Sequence, residues 1–487
     1  MKARLFRAFI KLPIIRSIAA KELKTFDDAI VKHCRSIYKE EKFMLELQRK
    51  GLNEGDILKK LKTYQDLSNV QWRNGRVSGA VYSNLTQEIS SIVQNVYNET
   101  AYTNPLHPDC FPGINKMEAE IIRMVINLFS GNDDCCGAVT SGGTESIVLA
   151  IKAYRDYAYH TKGITKPELV APATAHAAFP KACQYFCIKF VPTPVDPVTY
   201  KADINAMRKA INRNTILIVG SACNFPHGLI DDIQAIAKLG LKYNVPVHVD
   251  SCLGGFLVPF VKEAGFSIPP VDFSVDGVTS ISCDTHKYGY APKGSSVIMY
   301  SDKEYRRHQF SVITDWPGGI YASPTIAGSR AGASIATCWA TLLHYGVDGY
   351  VDATRKILKV QRYLKAEISK IDGIFIVGDP LLSVIAIGSK MFNVFRLSDM
   401  LSKKGWNLNP LQFPSAFHIC LTLMHVQDGV ADAFLDDLKQ SVVECLKNPD
   451  TSGKGMAVMY GMSQSIPDRT MVSDLACQYL STIYDTN

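Results

Sequence analysis

Between residues 136 and 300, short apolar runs rich in β-branched residues alternate with helical stretches, and few architectures accept that alternation. A run ahead of Ser141 leads into a helix carrying Ile147, Ile151 and Tyr154. Leu169–Ala171 is followed by a helix from Ala177, and Thr215–Val219 by one over Asp231–Tyr243, after which Val245–Val249 arrives as another strand. Such crossovers are right-handed and put helices on both faces of a mostly parallel sheet. Val278–Ser282 and Ser295–Tyr300 add two further runs, separated by a segment too polar for a simple turn. Upstream, Lys21–Leu67 is charged and helical in character. Gln87–Glu99 and Lys116–Phe129 also read as helices, the second from the spacing of Met117, Ile121, Val125 and Leu128. After Tyr350 the pattern becomes a long helix to about Ile371, strands at Ile374–Val377 and Leu382–Ile387, and a helix over Val394–Lys403. An apolar stretch near Phe417–Met424 and a helix over Val430–Leu446 complete it, as expected of a smaller α+β domain with an antiparallel sheet. The expected division is a helical, membrane-proximal segment over 1–75, a large α/β domain over 76–349 and a small α+β domain over 350–487.

Across 487 residues, 47% hydrophobic and 20% charged composition excludes disordered, collagenous and coiled-coil chains. A net charge of +7 is dilute, and no Lys/Arg stripe carries interleaved aromatics, so a nucleic-acid partner is not expected. The 13 cysteines include no CxxC pair, which argues for free thiols and against a metal centre. Cys183, Cys187, Cys223, Cys252 and Cys283 fall in apolar or small-residue segments and are assigned to the core. Leu5–Ala20 is apolar but broken by Arg7, Lys11, Pro13 and Arg16, which is too interrupted for a membrane span. Arg4, Arg7 and Lys11 face away from Leu5, Phe9 and Leu12, the layout of a short interfacial helix or of a leader packed on its own protein.

Three segments carry chemistry. Ser141-Gly142-Gly143-Thr144-Glu145-Ser146 joins a strand to a helix. Its glycines permit close backbone approach, and its hydroxyls sit beside free helix N–H groups, as a phosphate cradle requires; a capped Gly-rich turn is the structural alternative. His248-Val249-Asp250-Ser251-Cys252 puts a carboxylate at the C-terminal end of a buried strand, where open α/β sheets bind ligands. There it either meets a cation, such as a pyridinium nitrogen, or caps the next helix. In Asp284-Thr285-His286-Lys287-Tyr288-Gly289-Tyr290-Ala291-Pro292-Lys293-Gly294, Lys287 follows a histidine between two strands, where burial and charged neighbours can tune an amine. Cradle, stacking His176, strand-end Asp250 and Lys287, in that order, match what pyridoxal phosphate requires.

With these motifs the chain resembles the fold type I pyridoxal-phosphate enzymes and, more closely, the sphingosine-1-phosphate lyase family, a relative of the group II amino-acid decarboxylases. Gly79-Ala80-Val81-Tyr82, Asn104 to Asp109, Ala175-His176-Ala177-Ala178-Phe179, Asn224 to Gly228, Gly318 to Thr325, Ala327-Gly328-Ser329-Arg330 and Gly405 to Asn409 extend the likeness over most of the chain. The resemblance implies a seven-stranded-type, mostly parallel sheet in a cofactor domain. It implies pyridoxal 5'-phosphate joined to Lys287, with Asp250 on the pyridine nitrogen, His176 stacked on the ring, and Gly143 and Thr144 on its phosphate. Ser329 would reach that phosphate from the other subunit of a homodimer. Tyr82, His107 and Lys293 would grip the substrate's phosphate and assist proton transfer, with His286 beside the lysine. The implied reaction is retro-aldol cleavage of the C2–C3 bond of a phosphorylated sphingoid base to phosphoethanolamine and a long-chain aldehyde.

Ala331, where the family commonly has Pro, and Ser251, where it has Ala, depart from the pattern and bear on substrate fit more than on the reaction. Animal and fungal members carry an N-terminal membrane helix. The resemblance therefore implies the cytosolic face of the endoplasmic reticulum, with the basic leader at most on the membrane surface. An amino-acid decarboxylase would share Lys287, Asp250 and His176 but would not need Tyr82, His107 and Lys293 together. A non-catalytic paralogue acting as a scaffold has no physical reason to keep a buried lysine opposite a carboxylate.

Overall fold

The computed structural model describes residues 28, 31–32, 35–38, 41–449 and 469–486. The leader over residues 5–20, with its layout of an interfacial helix or of a helix packed on its own protein, lies outside the described residues.

Helices α1 (Glu54–Gln65), α2 (Gln87–Thr100) and α3 (Pro112–Leu128) precede the alternating region. There follow β1 (Cys136–Thr140), α4 (Gly143–Lys162), β2 (Glu168–Pro172), α5 (Ala178–Tyr185), β3 (Lys189–Thr193), α6 (Ile204–Ala210), β4 (Thr215–Ser221), α7 (Ile233–Tyr243), β5 (Val247–Asp250), β6 (Ser280–Cys283) and β7 (Ser296–Tyr300). Next come α8 (Lys303–Arg307), the hairpin β8 (Ser311–Ile313) and β9 (Tyr321–Ser323), and α9 (Gly332–Ile368). The chain closes with β10 (Phe375–Ile376), β11 (Val384–Gly388), α10 (Val394–Lys403), β12 (Asn409–Leu411), β13 (Ala416–Cys420), α11 (Val430–Lys447) and α12 (Arg469–Tyr484).

The main sheet has seven strands in the order β1-β7-β6-β5-β4-β2-β3. The strands from β6 to β3 pair in parallel, while β7 runs antiparallel to both β1 and β6. The expected mostly parallel sheet is thus present, with one reversed strand. A second, four-stranded sheet has the order β10-β11-β13-β12, and its β10–β11 pair is antiparallel. Contacts divide the chain into two units: Met1–Val77 with Ser389–Phe417 and Asp437–Asn487, and Ser78–Gly388 with His418–Asp436. The second unit holds the whole seven-stranded sheet. In the first, the Trp406 indole and the Lys404 ammonium donate to Asp437.

The core of the large unit is the apolar stripe of α4 (Ile147, Ile151, Tyr154) against Leu169, Leu217 and Val219 of the sheet. The stripe of α3 is centred on Ile114, Ile121 and Val125, with Met117 and Leu128 only half buried. Glu118 shares that buried side because its carboxylate accepts two bonds from the Arg330 guanidinium, at 2.5 and 3.0 Å. Of the cysteines assigned to the core, Cys183, Cys223, Cys252 and Cys283 are buried, but Cys187 is exposed, since it turns the chain after α5 at a φ of 54°. The long helix starts at Gly332, earlier than its sequence suggests, and is interrupted at Gly346 (φ 55°, ψ −176°). Among the described residues, no helix is long and apolar enough to cross a membrane.

Buried titratable groups make this fold sensitive to acid. His248 on β5 sits between the hydroxyls of Ser280 and Ser282, at 2.8 and 3.1 Å, and burial takes its pKa down to about 4. Burial does the same to His227 and His418, each brought to about 4. Asp231 opposes them, pushed up to about 6 by burial. Between these values and the ordinary histidine value, the unfolded chain binds a proton on each imidazole and the folded chain does not. Stability is therefore lost as pH falls through that window, while Asp231 offsets about one proton. Unfolding at pH ~5 should take up about two protons from these four groups. Denaturant midpoints should fall between pH ~7 and ~5; pH-independent midpoints would contradict this account.

Candidate active site

The loop from Asp284 to Gly294 connects β6 to β7 and is held by its own turns. Lys287 N–H donates to Asp284 C=O at 3.3 Å, Tyr290 N–H to Lys287 C=O at 3.0 Å, and Ala291 N–H to Thr285 C=O at 3.1 Å. The Thr285 and Ser295 hydroxyls pair across its base, and Tyr350 donates to Gly289 C=O at 2.8 Å. Gly289 is required because a Cβ there would run into the Thr285 carbonyl. This scaffold presents Lys287, whose side chain is 20% exposed, to Asp284, whose side chain is 2% exposed, with Nζ 2.8 Å from Oδ2.

Three motifs far apart in sequence converge here. A Cβ on Gly143 would lie 2.7 and 2.8 Å from the Asp284 carboxylate oxygens and 2.8 Å from Cys252 Sγ. One on Gly142 would touch the His286 ring at 3.5 Å. The first turn of α4 is thereby pressed onto the lysine loop and onto the residue after Ser251, and only glycine permits that approach. Glu145 fixes the turn by accepting from Ser141 N–H and Oγ–H at 2.7 and 2.6 Å and from Ile326 N–H at 3.1 Å.

Asp250 ends β5 and is buried; its Oδ1 accepts from Cys252 N–H at 3.1 Å and from the Ser282 hydroxyl at 3.4 Å. Among the described residues no cation pairs with it, so the carboxylate is open to a cation from outside the chain. His176 is half buried, with Nδ1 accepting from Ala178 N–H at 3.1 Å and its ring edge-on to Phe225. Tyr82 is buried against Tyr288 (centroids 4.9 Å apart), and Lys293 Nζ lies 4.7 Å above its ring. Tyr288 donates to Leu421 C=O at 2.6 Å and lies 3.3 Å from Cys420 Sγ.

Charge follows from this packing. Burial works to lower the Lys287 ammonium, but the Asp284 carboxylate outweighs it and holds the amine well above the usual lysine range. Burial would raise Asp284, yet Lys287 and then His286 bring it below the usual carboxylate value. His286 is lowered by burial, and its Nδ1 lies 2.5 Å from the Ser295 carbonyl, so the proton belongs on Nδ1 and Nε2 is left as the acceptor. Burial pushes the Tyr82 phenol well up. Lys293 is lowered, first by burial and then by the charge of Lys287.

Lys287, His286, Tyr82, Lys293 and Gly143 thus gather at one place, with Asp250 at the neighbouring strand end. Thr144 and Ser329 line a cleft of about 550 Å³ together with Ser141, Gly294 and Arg330. His107 is exposed; its loop is tied to Ser329 instead, through Asn104, which donates to Ser329 Oγ and accepts from Arg330 N–H, each at 3.1 Å. The sequence motifs single out no role for Asp284, although its spacing of three from Lys287 is an available signal. Cys420 and the Glu118–Arg330 pair carried no signal at all.

The donor set fits pyridoxal phosphate: a glycine cradle at a helix N-terminus that a Cβ would fill, a largely buried amine, and a strand-end carboxylate without a cation. Residues 39–389 match the family described as the pyridoxal-dependent decarboxylase conserved domain. Sphingosine-1-phosphate lyase of Drosophila melanogaster is 52% identical over 485 residues, spanning 100% of this chain and 89% of that protein. A solved sphingosine-1-phosphate lyase of Burkholderia pseudomallei superposes with a TM-score of 0.81 at 36% identity, over 88% of this chain and 98% of its own. Glutamate decarboxylase of Lactobacillus brevis, at 22% identity and a TM-score of 0.71 over 85% of this chain and 97% of its own, shares the fold.

A side chain at residue 143 should displace the Asp284 carboxylate. Gly143→Ala is expected to cost about 1–3 kcal/mol of stability by overpacking, read from chemical denaturation. A variant as stable as the parent would show that the cradle has room to spare.

Proposed function

Because the chain belongs to the sphingosine-1-phosphate lyase family, within the pyridoxal-dependent decarboxylases, we propose that it is a carbon–carbon lyase of sphingolipid degradation. It breaks the C2–C3 bond of phosphorylated sphingoid bases by a retro-aldol reaction that releases a long-chain aldehyde and phosphoethanolamine. The observation favouring this over amino-acid decarboxylation is Lys293. Its side chain reaches beside the lysine site with the ammonium partly buried over the Tyr82 ring, and among the described residues no carboxylate pairs with it. An unpaired cation there is a receptor for an anion such as a headgroup phosphate, which an amino acid losing its carboxylate lacks.

When bound at Lys287, pyridoxal phosphate supplies an electron sink for the pair released at the substrate's C2. The chain's residues do the rest. Gly143 and Thr144, at the N-terminus of α4, offer backbone donors and a hydroxyl to the cofactor phosphate, joined by Ser329. His176 covers the ring face, and the Asp250 carboxylate keeps the ring nitrogen protonated by pairing with it. Neutral His286 offers Nε2 as a proton acceptor beside the reacting amine, while Tyr82, kept protonated by burial, donates from its hydroxyl. Lys293 and Tyr82, with His107, hold the substrate phosphate.

We read the working enzyme as a homodimer with shared sites, since His107 and Ser329 lie together on an exposed loop pair and not in contact with Lys287. By family membership we place it on the cytosolic face of the endoplasmic reticulum.

Incubation with a phosphorylated long-chain base should yield aldehyde, and incubation with glutamate or an aromatic amino acid should yield no carbon dioxide; the reverse pattern would refute the lyase reading. Lys287→Ala should abolish both aldehyde production and the visible absorption band. Loss of a charge-assisted contact is worth about 1.5–3 kcal/mol, so Lys293→Met should lower kcat/KM about 10- to 100-fold. Unchanged kcat/KM in that variant would remove Lys293 from phosphate recognition.

A further inference from the structure

One carboxylate, Asp284, touches the lysine, and another, Asp250, ends the neighbouring strand; the family pattern uses the second. Asp250 already accepts from Cys252 N–H and the Ser282 hydroxyl, leaving it for the cofactor ring. Asp284 is different. Its side chain is 2% exposed, Oδ2 lies 2.8 Å from Lys287 Nζ, and Oδ1 has no hydrogen-bond partner. The first turn of α4 confines it, because Gly143 approaches so closely that a Cβ would overlap both oxygens. The strand end of β6 and the Thr285–Ser295 hydroxyl pair fix its backbone. A carboxylate so deeply buried, with one oxygen unsatisfied, is costly for stability and easily replaced if stability were its purpose.

We propose that Asp284 is the positioning residue of Lys287, stationing the ε-nitrogen and holding the proton on it, a role separate from that of Asp250 toward the cofactor. Asp284 does this as a fixed negative charge boxed in by Gly143, unable to follow any other partner. The other titratable groups around the amine do not substitute for it. Tyr82, Cys223, Cys252, Cys283 and Cys420 are all raised by burial and hence uncharged at neutral pH. His286 is neutral, with Nε2 3.7 Å from Asp284 Oδ2. Lys293 carries the same sign as Lys287 and opposes its charge.

The proposal rests on pyridoxal phosphate being joined to Lys287, in which case the visible band of the holoenzyme titrates with the proton on that nitrogen. In the parent the band should persist unchanged through neutral pH. In Asp284→Asn, which keeps the volume and loses the charge, its titration midpoint should fall by about 1–3 pH units. Asp284→Glu, which keeps the charge, should restore most of that shift. An Asn variant that titrates within about 0.3 unit of the parent, or a Glu variant that titrates like the Asn one, would overturn the proposal. If the Asn variant fails to fold, the parent alone decides, since a parent midpoint below pH ~7 contradicts a proton held by Asp284. A parent that stays colourless and takes up no cofactor refutes the proposed function itself, whereas a coloured parent with an unshifted Asn variant removes only the role of Asp284.

Discussion

A largely buried amine keeps its charge when an anion stands beside it, and the Lys287–Asp284 contact supplies that anion at 2.8 Å. Much of the site's local geometry serves this pair. The lysine loop is wound so that the two residues face each other across one turn, and Gly142 and Gly143 let the α4 terminus close over them. The same closeness that confines Asp284 brings a helix N-terminus, with its free donors, toward the lysine loop, so the glycine turn and the lysine are two aspects of one packing arrangement.

The sheet makes that arrangement possible. Adjacent parallel strands β4, β5 and β6 end together, with Ser221 opposite Asp250 and Asp250 opposite Ser282. Right-handed crossovers deliver the loops that follow these strands to one edge, where an open α/β sheet binds its ligands. The antiparallel β7 then returns the chain from Lys293 to the core, and the loop between β6 and β7 is held by its own turns and by the Thr285–Ser295 hydroxyl pair.

Much of this was legible in sequence because it depends on burial along strands. Runs such as Ile216 to Val219, short and mostly β-branched between helical patterns, read as buried strands. What was missed lacks that signature. β3 is Lys-Phe-Val-Pro-Thr, an edge strand whose Pro192 reads as a breaker although an edge tolerates it. The β8–β9 hairpin exposes Val312 and Ile313, so no alternation marks it. The start of α9 hides behind Gly328 and Gly332. In the site, motif order singles out Lys287, Asp250 and His176 as candidates, whereas what marks Asp284 is its burial and the approach of Gly143 from 141 residues upstream, which spacing along the chain does not reveal. His107 and Ser329, by contrast, are named from the family pattern, and both are exposed, Ser329 at the rim of the cleft that Thr144 also lines.

The central claim is that the nitrogen of Lys287 carries the cofactor, and it is tested most directly by locating that bond. Borohydride reduction of the holoenzyme followed by proteolysis and mass spectrometry should find a phosphopyridoxyl group on the peptide containing Asp284 to Tyr290, attached at Lys287. A reduced group on Lys293 or on any other lysine, or none at all in protein that retains its colour, would contradict the account.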